Sequence, residues 1–257
     1  MIGEKLAESA LMSQHGAERF FKYCRAGWAL ASVVVVGSLV VGLSILPAIS
    51  FWDLLYRWPL QGWWLRPVLL SMWFVPAYLI FSVSLMVLAA GATRLLGWRT
   101  PANVEMSVES LEWPILRWIR YAVITQVVRL LVGMAFRATP LWSLYMRLNG
   151  ARMGRRVYVR SLELSDHNLL EFGDDVIVGA NAHISGHTVE GGYVITAPVR
   201  LGNNVTVGLG SVVGIGVEVG DNAQIGALSL VPKHRRLDGD ATWVGIPVSR
   251  LRDQPDR

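Results

Sequence analysis

Between Ile195 and Pro232 an aliphatic residue returns at every sixth position: Ile195, Leu201, Val207, Val213, Val219, Ile225 and Val231. Glycine follows most of them, at Gly202, Gly208, Gly214, Gly220 and Gly226. Four residues after each anchor but the last stands a small or β-branched residue: Val199, Val205, Ser211, Val217, Ala223 and Ser229. A period of six matches neither the 3.6 of a helix nor the 2 of a strand. It is the period of a parallel β-helix, in which three short strands close one triangular coil of about eighteen residues. The anchors are expected to point into the prism. The glycines are expected at corners that need φ > 0 or close packing.

Upstream the same units continue in shifted phase. Phe172-Gly173-Asp174-Asp175-Val176 and Val178-Gly179-Ala180-Asn181-Ala182 are two of them, Ile184 opens a third, and Met153 to Val159 forms a weaker earlier pair. The slips bracket residues 165–168 and 187–192, and predict that the chain leaves the prism there as loops. Loops that interrupt a regular scaffold commonly carry function.

The first half has a different composition. The chain is 53% hydrophobic with 11 Trp, and the excess lies before the repeats. Ala26–Trp52 and Pro67–Thr93 contain no charged residue. A span needs roughly 20 apolar residues, so two transmembrane helices are expected, at about 27–50 and 67–92. The first run is too long for the core of a signal peptide, and a second follows closely, so it is expected to be retained. Trp28, Trp52, Trp58, Trp63, Trp64 and Trp98 are expected to form an aromatic belt.

Lys5, Arg19, Lys22 and Arg25 precede the first span, and Arg94, Arg99, Arg117 and Arg120 follow the second, against Arg57 and Arg66 between them. This asymmetry places both ends of the hairpin, and the repeats, on the cytoplasmic side of the inner membrane. A third apolar stretch, about 110–136, carries a central Arg129. It is expected to lie in the interface, with Arg117 and Arg120 meeting anionic headgroups of membrane lipids. Glu105, Glu109 and Glu112 have helical spacing and are expected to form a solvated helix face. Cys24 is the only cysteine and is expected to be a buried small hydrophobe. The net charge of +5 fits membrane association, and no nucleic-acid module is visible.

The repeats, with Thr139-Pro140-Leu141-Trp142 to Gly154 before them and Leu228-Ser229-Leu230-Val231-Pro232-Lys233 and Trp243-Val244-Gly245-Ile246-Pro247 at their end, resemble the hexapeptide-repeat acyltransferases. The second half is also similar to the membrane-embedded C-terminal region of ε-poly-lysine synthetase-type enzymes. The resemblance covers roughly 136–252. It implies a left-handed parallel β-helix at 137–257 behind a membrane domain at 1–136, assembled as a homotrimer. It also implies acetyl-CoA or another acyl-CoA as co-substrate, with no metal. The coenzyme slot would lie between neighbouring prisms. Leu209 and Ala227 would flank its pantetheine arm, and Lys233 would stand near its phosphates. Arg235, Arg236 and Arg252 extend that basic cluster, beside His234 and Arg250.

His187 opens the off-phase loop. The resemblance makes it the general base that deprotonates an acceptor hydroxyl or amine, a role that suits an imidazole of ordinary pKa near 6.5. Asp166 lies a little over one coil earlier in the chain, and could orient the imidazole or position the acceptor. Three alternatives remain open. Residues Tyr121 to Phe136 could cross the bilayer instead, which would put the repeats outside, away from CoA. His167, His183 and His187 could hold zinc, as in a γ-carbonic anhydrase. The coil could also be a catalytically silent trimeric scaffold for a partner enzyme.

Overall fold

In a computed structural model the described residues are 2–57 and 64–251, with side chains from residue 16 onward except 17. The side chain of Lys5, and Trp58, Trp63 and Arg252 altogether, lie outside the described residues. Two long helices come first, α1 (Ile2–Tyr56) and α2 (Leu65–Leu95), packed along each other. Gly97, at φ 65, turns the chain after α2. The segments Glu18–Tyr56, Leu65–Leu95 and Trp113–Phe136 are each long and apolar enough to cross a membrane. Leu39, Leu46, Ile49, Met72, Phe74 and Val75 stand exposed on the first two. Apolar surface this continuous is stable against lipid or another apolar surface, not against water.

The connection from α2 is not helical. Glu105 lies in a short strand, β1 (Glu105–Ser107), Glu109 in a turn, and Glu112 is the extended N-cap of α3 (Trp113–Val128). Three glutamates at helical spacing therefore share no helix face, because Pro114 sets the helix start at Trp113. α3 runs on through a π-helical turn at Arg129–Gly133 to Met134–Phe136.

α3 lies between the helix pair and the coil. Ile124 stands against Gly37 of α1. Tyr78 of α2 donates its hydroxyl hydrogen to the Leu131 carbonyl at 2.9 Å. On the other side Arg129 meets the Glu163 carboxylate at 3.0 Å and the Leu162 carbonyl at 3.3 Å. Arg120 is 6% exposed, its guanidinium lying over the rings of Trp98 and Trp113 at 5.4 and 5.5 Å. It is therefore packed inside the protein rather than offered to headgroups, and Trp98, 4% exposed, belongs to that packing rather than to a belt. Arg117 remains exposed. Cys24 is exposed as well, because it lies on the open side of α1.

The second half is a three-faced parallel coil. Thr206 pairs with Gln224, Val212 with Leu230, and Glu218 with Arg236, so each strand lies beside its equivalent in the next coil. Its anchors fill the prism: Val207, Val213, Val219, Ile225 and Val231 are buried, as are Val199, Val205, Ser211, Val217, Ala223 and Ser229. Burial of each large aliphatic contributes roughly 1.5–3 kcal/mol. The coil interior and the buried faces of α1, α2 and α3 form one apolar core, from Val33 to Val248.

The glycines after the anchors serve close approach. A Cβ on Gly208 would stand 2.4 Å from the Ala227 nitrogen, and one on Gly220 would stand 2.5 Å from the Gly239 nitrogen. Positive φ falls two residues later, at Asn204, Gly210, Gly216, Asn222, Leu228, His234 and Asp240. Asn, Asp and Gly tolerate that region; Leu228 does so under strain.

Two departures interrupt the period. Arg152 pairs with Glu171, one position beyond a full coil, so a single residue is inserted in the first coil. Leu170 pairs with Val199 and His183 with Val212, both far beyond a full coil, so a longer insertion leaves the prism between them. It forms an antiparallel hairpin, His187–Glu190 against Tyr193–Thr196, turned by Gly191 and Gly192 at positive φ. Ile195 belongs to this hairpin, opposite Thr188, and is not a coil anchor. The coil resumes at Val199. β1 adds a third strand to the hairpin, pairing Met106 with Val194, and ties it to the helical half.

Candidate functional site

The hairpin begins where the coil is left, and the exit residue is small for a reason. A Cβ on Gly186 would fall 2.8 Å from Leu169 Cβ and 2.9 Å from Asp166 Cβ. Glycine therefore lets the hairpin start directly against the 165–168 loop. Asp166 itself sits at φ 53, a left-handed conformation that Asp adopts more readily than most residues.

That geometry brings Asp166 and His187 together. The carboxylate is 4% exposed. Its Oδ2 receives His187 Nδ1 at 2.5 Å, and its Oδ1 accepts from Thr100 Oγ1 at 2.6 Å and from Trp118 Nε1 at 3.1 Å. The Trp118 ring also stands edge-on to the imidazole, centroids 5.0 Å apart. Ser185 braces the backbone: its hydroxyl donates to the His187 carbonyl at 2.9 Å and accepts from Ser165 Oγ at 2.8 Å. With an ionised carboxylate as partner, Nδ1 carries the proton and Nε2 keeps its lone pair. An imidazole so arranged can take a proton at Nε2 while the carboxylate stabilises the cation formed.

The titration of the pair follows. Burial alone would lower the His187 pKa, but the hydrogen bond and charge of Asp166 outweigh it and raise it above 6.5. Burial alone would raise the Asp166 pKa, yet His187, Thr100 and Trp118 hold it below 3.8. A raised histidine pKa gives stability that is full below the unfolded value and is lost as pH rises through the folded one. A lowered aspartate pKa gives stability that is present above its unfolded value and is lost as pH falls through the folded one. Both contributions are therefore present between 3.8 and 6.5. The melting-temperature gap between wild type and Asp166→Asn is expected to be widest in that window and to narrow above it. A gap flat from pH 5 to 9 would show that the pair is not coupled.

His187 and Asp166 line a cavity of about 340 Å³. Its opposite wall is α3, through Trp118, Tyr121, Thr125 and Arg129. Thr100, Trp118 and Tyr121 carry no repeat signal. The only trace of them in the sequence is the spacing of Trp118, Tyr121 and Thr125 on one helix face. His167 is 4% exposed and His183 projects outward. Among the described residues no three His, Cys, Asp or Glu stand close enough together to hold a metal ion, so the three histidines do not make the zinc site considered above.

The residues expected to hold a coenzyme are dispersed. Leu209 and Ala227 are exposed and successive on one corner of the prism, where the Leu228 amide donates to the Leu209 carbonyl at 2.8 Å. Lys233 is on a different corner and is ion-paired with Glu190 of the hairpin. Arg235 is exposed beside it. Arg236 points from the adjacent face, where it joins an alternating ladder of Arg236, Glu218, Arg200, Glu171 and Arg152. It is thus bound within that ladder rather than gathered with Lys233, because the coil turns between them.

No family model matches the chain. Over 112 residues it is 24% identical to delta-poly-L-ornithine synthetase of Acinetobacter baumannii, a match covering 44% of this chain and 8% of that protein. Solved structures similar to it include acetyltransferases, among them a hexapeptide-repeat-containing one. The latter, from Vibrio cholerae and complexed with acetyl coenzyme A, is 22% identical at a TM-score of 0.37, over 42% of this chain and 62% of that one. A galactoside acetyltransferase in complex with coenzyme A is 22% identical at 0.39, over 50% and 80%. The serine acetyltransferase of Neisseria gonorrhoeae is 16% identical at 0.33, over 93% and 92%. The chain thus spans a small fraction of the curated relative and 62% of the first of these structures.

Proposed function

We propose that this protein is a membrane-anchored acyltransferase. It moves an acetyl or other short acyl group from acyl-CoA to a hydroxyl or amine of an acceptor at the membrane. The observation that carries the proposal is the His187–Asp166 pair, buried on its acidic side and lining a cavity walled by an apolar helix. In the step proposed, His187 Nε2 takes the proton of the acceptor as its oxygen or nitrogen attacks the thioester carbonyl. The tetrahedral intermediate then expels the CoA thiolate, which recovers the proton from the imidazolium. Asp166 acts as a positioning residue. The acyl donor of the relatives crystallised with CoA belongs to those proteins; here its use is inferred from the repeat and the pair.

For the coenzyme, the exposed corner of Leu209 and Ala227 offers an apolar edge, and the strained Leu228 projects beside it. Arg235 is a candidate contact for its phosphates, and Lys233 becomes one when it releases Glu190. One prism supplies one side of such a slot, so the proposed assembly is a homotrimer of left-handed coils. The proposed division is a membrane domain at 1–136 and the coil at 137–257. α1 and α2 cross as a hairpin and α3 lies at the interface. Its bond to Glu163 supports that placement, because a helix walled by the polar coil is not surrounded by lipid. The coil then faces the cytoplasm, where acyl-CoA is found.

The test is calorimetry of acetyl-CoA with the detergent-solubilised full chain, alongside CoA release on adding candidate acceptors. Saturable binding with acceptor-dependent release supports the proposal. An absence of binding overturns it in favour of a scaffold. Orientation is checked in a Cys24→Ser background carrying Ser249→Cys; labelling of that thiol from outside intact cells would exclude a cytoplasmic coil.

A further inference from the structure

Behind His187 the cavity is lined by residues whose buried polar groups the chain itself leaves without a partner. The Tyr121 hydroxyl, the Trp142 indole N–H and both ring nitrogens of His167 have no hydrogen-bond partner among the described residues. Their residues are 2%, 2% and 4% exposed, and all three line the cavity that His187 lines. The Tyr121 hydroxyl is beside the His167 and Asn168 amides, and His167 is beside the Leu164 carbonyl, but none of these closes a hydrogen bond. Buried polar groups are normally paired, and unpaired ones clustered on a cavity mark what the cavity is built to take. Tyr145 holds the cluster in place, its ring 5.2 Å from that of Trp142 and 5.8 Å from that of His167.

The donor inventory selects the ligand. Trp142 can only donate, while the Tyr121 hydroxyl can donate or accept. Burial pushes the His167 pKa down to about 4, against a smaller opposing pull from Asp166, so the ring is neutral and offers one donor and one acceptor. A carboxylate or phosphate drawn in here meets the buried charge of Asp166. An ammonium accepts no hydrogen bond and so leaves the Trp142 N–H unpaired, and the carboxylates at the cavity are already engaged, Asp166 by Thr100, Trp118 and His187 and Glu163 by Arg129. An uncharged oxygen can accept from Trp142 or from Tyr121, and a hydroxyl can also donate to His167.

Resting on the acyl-transfer reading, we propose that Tyr121, Trp142 and His167 form an acceptor subsite for an uncharged oxygen function, a hydroxyl or an amide carbonyl. The molecule acylated beside His187 would be gripped there at a point away from its nucleophile. Substrate choice is then set by α3 and the helix that follows it, not by the coil.

The test uses the full chain in detergent micelles with 15N-labelled indoles, Trp142 being assigned by its loss in Trp142→Phe. Propionamide, 1,2-propanediol, propionate and propylammonium are titrated without coenzyme. The Trp142 N–H signal is expected to move downfield and saturate with the amide, the diol or both, with affinity about tenfold above that for either ion. The stronger of the two neutral probes identifies which oxygen is held. Tyr121→Phe is expected to weaken the neutral probes and leave the ions unchanged. Equal response to all four, or no response to the neutral pair, overturns the subsite. The titration involves no acyl donor, so its outcome is independent of whether acetyl-CoA is bound or CoA released.

Discussion

His187→Ala is expected to lower acyl-transfer turnover by ~10²–10⁴-fold, the range of a positioned general base, while acetyl-CoA affinity stays within a few-fold. The separation follows from geometry. His187 is bound to Asp166 in the cavity walled by α3, whereas Leu209 and Ala227 lie on another corner of the prism. Asp166→Asn keeps the imidazole and removes the charge that raises its pKa. In wild type the acid limb of kcat/KM therefore rises above pH 6.5, and in Asp166→Asn it moves to lower pH. Turnover and pH profiles are read from CoA release with a fixed acceptor. Full activity in His187→Ala, or an acid limb unmoved by Asp166→Asn, would remove His187 from the base role.

Ile225→Ala is expected to cost ~2–5 kcal/mol of folding stability, as large-to-small changes in packed cores do. Its neighbour Gln224→Ala is expected to stay within about 0.5 kcal/mol. Ile225 is 1% exposed at the centre of a rung, whereas Gln224, on the same two-residue strand, points outward. Each rung contacts only its neighbours, so a cavity in a middle rung uncouples the coils on either side. Urea unfolding followed by circular dichroism measures both variants. Equal losses would contradict the inward and outward alternation.

The coil was legible because six-residue spacing is enforced by the backbone: every anchor from Leu201 to Val231 faces the same interior. The longer departure from the prism was visible only as a slip. Ile195 kept the six-residue count by chance while serving a hairpin. The role of the glycines was half legible, since sequence shows where Gly recurs but not whether φ or a neighbouring rung demands it. His187 and Asp166 stood out because both interrupt the repeat. Thr100, Trp118, Tyr121 and Trp142 did not, because they belong to helices and a connection whose docking on the coil is a long-range packing event. Arg120 misled for a related reason: an arginine on an apolar helix reads as exposed until two tryptophans are brought to it.

Two of the donors that hold Asp166 come from the first half of the chain: Thr100 from the connection after α2, and Trp118 from α3. The helices are thus joint owners of the His187 cavity as well as its tether. A coil clipped free by proteolysis would carry its imidazole away and leave behind the wall opposite it. Such a fragment would lack two of the donors that hold Asp166, so the pair keeps its full surroundings only in the intact chain.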